Sequence, residues 1–501
     1  MRNAAWPAYL VALAATLFAI FPLTDTDIWW HMACAREWVT TWTPVRIPVV
    51  NVHDFFQQVV AFVYTAGGAP LLVAFKAVLW GCVFALFLRK TFSPSLGTAR
   101  TWPVMAVSVF LLFIFRFQFE IRPVVFSLLF LGVYWNVLPW LVCCWYDGVS
   151  VKRLLTVSVV LAILALQWIW CNVQGLYILG PLFAGLCVAA AVAENFKKKG
   201  GRFSPARDVP AIFFVAVLFL TPFFHRDGLD LFLYPFGLLD RLLGISPSAV
   251  IFASEIAENR SPVTLLMAGE NLLPSIMMIV VALIALAFAV ERAVQGFWRE
   301  NLVTCGCLAI MACLTLVAER NFVLLLPVAM ACVLPKVHCV PLAKKSVWLS
   351  LLLVFAIFGF WAKSLTAYEA TMVSAQRVPV MAAQWMKAHP HAGRLFNDDR
   401  AGGYLAFVNP MDSTYIDGRF ILKTAVFFER YLRYSEQPNE FIRDAEALDI
   451  DRAVFPRRYY ARWGALIEAL ENAPMWSAEY VDSNYVVFDK KKLQDAYSTA
   501  P

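Results

Sequence analysis

Long apolar runs alternate with short polar loops along the first 365 residues. Eleven of these runs approach the 20 or so mostly apolar residues that an α-helix needs to cross a membrane. They cover residues 6–23, 69–88, 102–117, 122–145, 154–170, 173–193, 209–224, 273–292, 301–317, 321–338 and 346–363. The pattern therefore predicts a polytopic α-helical membrane domain over residues 1–365.

Two loops, residues 24–68 and 225–272, are much longer than the others. Inside them, residues 27–42, 53–65 and 228–243 place large apolar side chains beside polar ones. This arrangement is typical of a helix lying at the membrane surface. The simpler interpretation is that these helices only anchor the chain. Because loops carry function more often than the elements they connect, a site is expected here.

Residues 376–501 have a different pattern. Short strand-like runs at 394–396, 404–408, 414–416, 453–455 and 484–488 alternate with helical stretches at 379–388, 424–434, 438–447 and 460–471. This alternation predicts a small soluble α/β domain. Gly402-Gly403 and the Asp417-Gly418-Arg419 turn either approach a ligand or are ordinary turns. The sequence contains no Walker loop and no G-x-G-x-x-G motif, so nothing in it points to nucleotide binding.

Composition supports the membrane assignment. Of the 501 residues, 60% are hydrophobic and 15% charged, against about 45–50% and 25% in soluble domains. A soluble enzyme and a disordered protein are therefore excluded. The net charge is +7, yet residues 376–501 hold 16 basic and 17 acidic residues. The basic excess thus belongs to the membrane domain, and no nucleic acid partner is expected.

The basic residues also predict orientation. With eleven spans and a cytoplasmic N-terminus, the loops of the inner face hold 16 Lys and Arg, whereas the longer outer loops before residue 376 hold 8. Cytoplasmic loops carry an excess of Lys and Arg. We therefore expect a cytoplasmic N-terminus and an extracytoplasmic C-terminal domain, which faces the periplasm in a Gram-negative cell.

Ionisable side chains collect at the outer ends of the spans, where they are costly. Asp25 and Asp27 follow the first span, and His31 lies one helical turn after Asp27. These are the candidate catalytic residues, with a carboxylate as general base. If a divalent cation such as Mg or Mn is bound, the same three residues are its candidate ligands. The alternative is that an Asp only caps the helix that follows.

Other polar residues at the same ends are candidates for substrate binding. Arg122 and Arg320 lie where spans begin, and an arginine fork suits the phosphate of a lipid-linked ligand. The remaining candidates are Asn172, Gln174, Glu255 and Asn321. For each of them, the alternative is structural pairing at a helix end.

The order of these features resembles the GT-C superfamily of integral-membrane glycosyltransferases, and most closely a group of bacterial multi-pass proteins of that class. The resemblance covers almost the whole chain. The matching segments are DTDIWWHMACAREW (25–38), EIRPVVFSLLF (120–130), WIWCNVQGLYILG (168–180), LTPFFHRDGLDLF (220–232), ERNFVLLLP (319–327) and GRLFNDDRAGGYLAF with YIDGRF (393–420).

The resemblance implies a polyprenyl-phosphate-linked sugar donor, an outward-facing active site and inversion at the anomeric carbon. The general base or metal ligand of the family's first outer loop maps onto Asp25 or Asp27. The implied location is the bacterial cytoplasmic membrane, with membrane lipid as partner and a glycan, lipid or protein as acceptor. Two features depart from the family: residues 376–501 lack the Trp-Trp-Asp tripeptide of its oligosaccharyltransferases, and Gln174 stands where many members have His.

Two other functions fit a polytopic membrane protein. A transporter or flippase of lipid-linked substrates predicts charges near the bilayer midplane and internal repeats. Here the charges lie at span ends, and no clear repeat is present. A non-catalytic scaffold for envelope glycan assembly predicts that Asp25 and Asp27 tolerate substitution.

Overall fold

A computed structural model describes residues 6–46, 49–91, 98–147, 153–198, 202–296, 299–337, 345–458 and 461–491. Over these residues the chain forms twenty α-helices and four β-strands, labelled here in chain order. They group into two compact units. The first comprises Met1–Phe21, Val50–His53 and Val73–Tyr368, and the second comprises Pro22–Val49, Asp54–Leu72 and Glu369–Pro501. The second unit thus takes in two N-terminal segments besides the C-terminal one.

Helices form most of the chain up to residue 365. In order they are α1 (Trp6–Phe18), α2 (Asp27–Arg36), α3 (Asp54–Leu88), α4 (Thr98–Ile114), α5 (Pro123–Tyr146), α6 (Arg153–Cys171), α7 (Leu179–Lys198), α8 (Pro205–Leu220), α9 (Gly228–Leu243), α10 (Val250–Glu255), α11 (Pro262–Met267), α12 (Leu272–Val294), α13 (Arg299–Val317), α14 (Phe322–Val337) and α15 (Lys345–Leu365). Each of the eleven predicted spans coincides with one of these helices. Eight of the helices in the described part of the chain are long and apolar enough to cross a membrane. A multi-pass helical membrane protein is therefore supported, and the count of eleven crossings stays a prediction.

The predicted surface helix at 53–65 is the first part of α3. Helix α3 continues to Leu88, but Gly67 and Gly68 depart from helical geometry, and Gly68 has φ of 64°. Residues with a side chain rarely adopt this left-handed conformation, so a glycine is favoured there. The two predicted segments are thus two helical stretches of α3 that are separated at the glycine pair.

The C-terminal part of the second unit contains a four-stranded sheet with strand order β1-β2-β4-β3. Strand β1 is parallel to β2, and the other two pairs are antiparallel. The elements are α16 (Val380–Ala388), β1 (Arg394–Asn397), α17 (Asp399–Val408), α18 (Ala425–Glu436), α19 (Pro438–Ala447), β2 (Ile450–Pro456), α20 (Gly464–Glu471), β3 (Trp476–Val481) and β4 (Tyr485–Lys490). A small α/β arrangement is therefore present.

Two strand predictions in this region are wrong, and one strand was not predicted. Residues 404–408 are helical, because Asp398 caps α17 by accepting the backbone N–H of Ala401 over 3.0 Å. Residues 414–416 form a loop, and β3 at 476–481 has no counterpart in the prediction. Strand β3 lies at the sheet edge and leaves several polar side chains exposed, so its apolar pattern is weak.

The segment after α2 is part of the second unit through backbone pairing. The N–H of Trp42 donates to the Thr414 carbonyl over 3.0 Å, and the N–H of Arg46 donates to the Leu422 carbonyl over 2.8 Å. Helix α2 itself is buried along residues 28–34. This differs from the surface helix predicted for 27–42, because α2 packs on α17 within the second unit.

His391 links three segments of the second unit. Its Nδ1 lies 2.5 Å from Asp451 Oδ1, and its Nε2 lies 3.1 Å from both carboxylate oxygens of Asp412. Asp451 Oδ2 also accepts the backbone N–H groups of Ala392 and Gly393. Burial alone would lower the pKa of His391, but the two carboxylates outweigh it and raise the pKa to about 9. The ring is therefore charged at neutral pH and donates from both nitrogens.

Replacing His391 by glutamine is expected to destabilise the protein by up to about 3 kcal/mol at pH 6, since each unit of pKa difference is worth about 1.4 kcal/mol. The folded-state pKa lies above the unfolded value of 6.5. The stabilisation is thus complete below that value and is lost as the pH rises through about 9. Thermal unfolding of the purified protein at pH 6 and near pH 10 measures this loss. His389→Gln is the control, because the His389 ring bonds to a neutral group, the Trp385 carbonyl, whereas the His391 ring bonds to two carboxylates. A pH-independent effect of His391→Gln would contradict the prediction.

Candidate functional site

Asp25, Asp27 and His31 lie together in the second unit, in and just before α2. Asp25 and His31 are each 3% exposed, whereas Asp27 is half-buried. The backbone N–H of Asp27 donates to Asp25 Oδ1 over 3.4 Å, as in the turns that precede helices. The alternative role stated above, an Asp that only caps the following helix, thus suits Asp25. Asp27 is the more exposed of the two aspartates.

Aromatic side chains enclose this part of α2. The His31 ring centroid lies 3.5 Å from that of Trp30 and 4.8 Å from that of Phe56, which it meets edge-on. Trp29 meets the Tyr404 ring edge-on at 4.7 Å. Such contacts stabilise a fixed geometry, so α2 presents Asp27 from a rigid support.

A buried ion pair of the C-terminal segment lies close to α2. Arg419 Nε is 3.0 and 3.1 Å from the two Asp417 oxygens, and Arg419 Nη2 lies 2.5 Å from Oδ2. The guanidinium carbon is 5.4 Å from the Trp30 ring and 5.0 Å from the Trp38 ring. Burial alone would raise the pKa of Asp417, but the Arg419 charge outweighs it and the pKa is lowered. Both groups therefore stay ionised.

Lys423 shares a narrow cleft with this ion pair. Its Nζ donates to the hydroxyl oxygens of Thr41 and Thr43, each over 2.7 Å. Burial lowers the pKa of Lys423 to about 8. Arg419 and Lys423 do not stand out as site residues in the sequence, where the Asp417-Gly418-Arg419 turn is the one signal that points to this region. The cleft is lined by Trp38, Val39, Thr40, Thr41, Val45, Val49, Asp417, Arg419, Leu422 and Lys423.

The predicted metal ligands do not fit a cation site. Among the residues that the structure describes, no three His, Cys, Asp or Glu side chains converge as metal ligands. Asp25 accepts from the backbone of α2, and His31 is packed between aromatic rings. Mg and Mn prefer six mostly oxygen ligands in octahedral geometry. We therefore assign no metal ligands and derive no step through a metal.

Arg122, in the first unit, is bound to a carboxylate. It directly precedes Pro123, where α5 begins, and has extended geometry. Its Nη1 and Nη2 donate to the two oxygens of Glu258 over 2.7 and 2.8 Å. A phosphate presents the same pair of acceptors to an arginine fork. Arg122 is therefore able to bind a phosphate if Glu258 moves away.

Arg320 contacts the residue next to Glu258. Its Nη1 donates to Asn259 Oδ1 over 3.0 Å, so the structure brings the two predicted phosphate-binding arginines to neighbouring residues. Burial, with Glu258 nearby, raises the pKa of Glu319 to about 7. The Glu319 carboxyl group therefore titrates near neutrality, in a position close to Glu258.

The two remaining candidates near this segment lie differently. Asn321 Nδ2 donates to the Leu314 carbonyl over 2.9 Å and so bonds a carbonyl near the end of α13. Glu255 is the last residue of α10 and is exposed. Asn321 therefore has a structural contact, and Glu255 is accessible from solvent.

Asn172 and Gln174 connect helices of the first unit. Asn172 Nδ2 lies 3.3 Å from His225 Nδ1. Gln174 Oε1 accepts the Ser127 hydroxyl over 2.8 Å, and the same hydroxyl accepts the Trp170 indole N–H. Both residues thus bond to side chains of other elements of the first unit.

Lys76 is a buried cation that sequence analysis missed, because a single lysine in a long apolar run does not change the prediction of a span. Its Nζ lies 3.8 Å from Glu120 Oε2 and donates to the Phe21 carbonyl over 3.0 Å. The ammonium also lies 3.4 Å from the Phe21 ring centroid. Lys76 is 0% exposed and Glu120 is 7% exposed, so this ion pair is inside the first unit.

Comparison with solved structures finds archaeal oligosaccharyltransferases. One is AglB from Archaeoglobus fulgidus in complex with an inhibitory peptide and a dolichol-phosphate; the TM-score is 0.52, with 12% identity, over 99% of this chain and 75% of that chain. The apo form of the A. fulgidus oligosaccharyltransferase gives a TM-score of 0.51 and 12% identity, and the match covers 98% of this chain and 74% of that chain. No protein-family model and no curated protein sequence matches the chain. At 12% identity the likeness shows a common fold, and the resemblance to GT-C glycosyltransferases is confirmed at that level.

Proposed function

We propose that this chain, which shares the fold of an archaeal oligosaccharyltransferase, transfers a sugar from a polyprenyl-phosphate-linked donor to an acceptor at the outer face of the cytoplasmic membrane. The observation that carries the proposal is the common fold over 99% of the chain. The half-buried Asp27 carboxylate on a rigid helix supports it, since such a group is suited to general base catalysis.

In the proposed reaction, Asp27 accepts the proton of an acceptor hydroxyl while the acceptor oxygen attacks the anomeric carbon of the donor. The bond between that carbon and the phosphate oxygen breaks, and the polyprenyl phosphate leaves with the bonding electron pair. Attack opposite to the leaving group inverts the anomeric configuration. His31, one turn along α2, supports the base through the packing of this helix.

Arg122 and Arg320 are proposed to hold the phosphate of the donor. The Arg122 fork is bound to Glu258, so donor binding would exchange one pair of acceptor oxygens for another. Glu255, which is exposed, and Asn172 and Gln174 are proposed secondary contacts. The acceptor is proposed to differ from the asparagine of a sequon, because residues 376–501 lack the Trp-Trp-Asp tripeptide.

Reconstitution of the purified protein into liposomes tests the function. The liposomes contain a panel of undecaprenyl-phosphate monosaccharides with tritiated sugars, together with a membrane extract from a strain lacking the protein as acceptor source. We expect loss of one donor, release of undecaprenyl phosphate and tritium in a new product. Movement of intact donor across the bilayer without cleavage would instead identify a flippase. An unchanged donor pool and unchanged envelope glycans in the deletion strain would indicate a scaffold and overturn the proposal.

A further inference from the structure

We infer that Gly418 and Arg419, in the loop after α17, position the Asp27 carboxylate. Asp27 and this loop lie about 390 residues apart in the sequence and in the same compact unit. The inference deepens the proposed function and rests on it in one respect, that Asp27 is the general base. Gly418 and Arg419 are positioning residues, which act on the acceptor only through Asp27.

The first observation is the close approach of Gly418 to Asp27. A Cβ atom added to Gly418 would overlap Asp27 Oδ1 and would lie 3.5 Å from the Trp30 indole nitrogen. No other residue type therefore fits while the Asp27 carboxylate keeps its place. Because the carboxylate packs directly on the Gly418 backbone, the loop defines one wall of the space that Asp27 occupies.

The second observation is the rigid charge next to this wall. Arg419 is 6% exposed and is held by Asp417 on one side and by the Trp30 and Trp38 rings on the others. Burial alone would lower the pKa of Arg419, but Asp417 outweighs it and raises the pKa, and the charge of Asp27 makes a smaller contribution in the same direction. A fixed cation thus attracts the Asp27 carboxylate toward the loop.

The loop is itself anchored to the sheet. Asn397, the last residue of β1, donates from Nδ2 to the Ile416 carbonyl over 2.7 Å and accepts the N–H of Tyr415 over 2.8 Å. The position of Gly418, two residues after Ile416, is therefore tied to β1. A displacement of the carboxylate requires movement of this anchored segment.

A second glycine approaches α2 at the same turn. A Cβ on Gly403 of α17 would lie 3.1 Å from both the Thr26 carbonyl oxygen and the Trp30 backbone nitrogen. The C-terminal segment thus contacts the first turn of α2 at two separate places. Two close approaches by glycines at one helical turn indicate that the segment determines where that turn lies.

Gly418→Ala is the principal test, because the added methyl group must displace the Asp27 carboxylate. We expect kcat for sugar transfer to fall by about 10- to 100-fold with little change in the donor KM, as for misplaced catalytic groups. Hydrogen exchange of the amides of residues 26–30 should become faster. Gly464→Ala is the matched control, because a Cβ there meets no atom within 4 Å. Equal exchange and equal kcat in the wild type and in Gly418→Ala would overturn the inference.

A double-mutant cycle separates positioning from a general structural role. If Gly418 acts through Asp27, the loss of kcat caused by Gly418→Ala should disappear in an Asp27→Asn background. Losses that multiply would overturn the inference. Full activity of Asp27→Asn would instead remove the proposed base, whereas an inactive Asp27→Asn with a fully active Gly418→Ala would remove the positioning role alone.

Arg419→Lys keeps the inference testable if Gly418→Ala does not fold. Lysine keeps the charge but cannot form the two-nitrogen contact with Asp417 or the same stacking with the indoles. We expect a folded protein with kcat lowered several-fold, an unchanged donor KM and faster exchange at residues 26–30. Arg419→Met, which removes the charge as well, should have the lower kcat of the two. Wild-type kcat in Arg419→Lys together with slow exchange would overturn the role of Arg419.

Discussion

Replacing Asp27 by asparagine is expected to lower the rate of sugar transfer by about 10²- to 10⁴-fold, the usual contribution of a general base. Asparagine has nearly the same shape but cannot take a proton from an acceptor hydroxyl. Asp27 is half-buried, and its neighbours in α2 are held by aromatic packing. The fold should therefore tolerate the change, and the loss should appear in kcat measured with the liposome assay.

Asp25→Asn is the matched control two residues away. Asp25 Oδ1 accepts the N–H of Asp27, and an asparagine side-chain oxygen can accept the same bond. A smaller loss of activity is therefore expected than for Asp27→Asn. Circular dichroism and thermal unfolding show whether each variant is folded. A folded Asp27→Asn protein with full transfer activity would exclude Asp27 as the base.

The apolar helices, and the one-turn spacing of Asp27 and His31 on α2, are predictable from sequence. Both features depend on residues that lie close together in the chain. Each predicted span is a continuous apolar run, and Asp27 and His31 are separated by one helical turn. A pattern of this kind is local, so neighbouring residues suffice to predict it. The common fold with oligosaccharyltransferases agrees with this part of the prediction.

The residues that surround Asp27 could not be predicted from such local patterns, because they belong to segments that are distant in the sequence. The pairing of Trp42 with Thr414, and the four acceptors that Lys423 finds at residues 41–44, join residues about 370 to 380 apart. A helix period or a strand alternation carries no information on which loops meet. A glycine such as Gly418 also looks like an ordinary turn residue until the carboxylate packed on it is known.

The arginines illustrate a second limit. Their positions at the starts of spans suit a phosphate, and the structure shows their present partners to be Glu258 and Asn259. The chemistry of an arginine fork is the same for a carboxylate and a phosphate. Sequence therefore predicts what such a residue is able to bind, whereas the structure identifies which acceptor lies within reach.

Lys76→Met is expected to destabilise the protein by about 3–5 kcal/mol, because it removes one partner of a buried ion pair and leaves the Glu120 carboxylate buried without this cation. Glu120 is 7% exposed, and its backbone carbonyl is already bonded to the Trp80 indole. The loss should appear as a low yield of folded protein and as a lower unfolding temperature in detergent. Lys363→Met is the control, because Lys363 is an exposed lysine near the end of α15.

Restoring the balance of charge distinguishes this effect from a simple loss of packing. In the double variant Lys76→Met, Glu120→Gln both members of the ion pair are neutral, and replacing a buried ion pair by neutral groups is often neutral or stabilising. We therefore expect most of the lost stability to return, although the methionine is the same in both variants. If the double variant is as unstable as Lys76→Met, the loss comes from the shape of the site. If Lys76→Met is as stable as the wild type but inactive, the lysine serves the reaction and contributes little to folding.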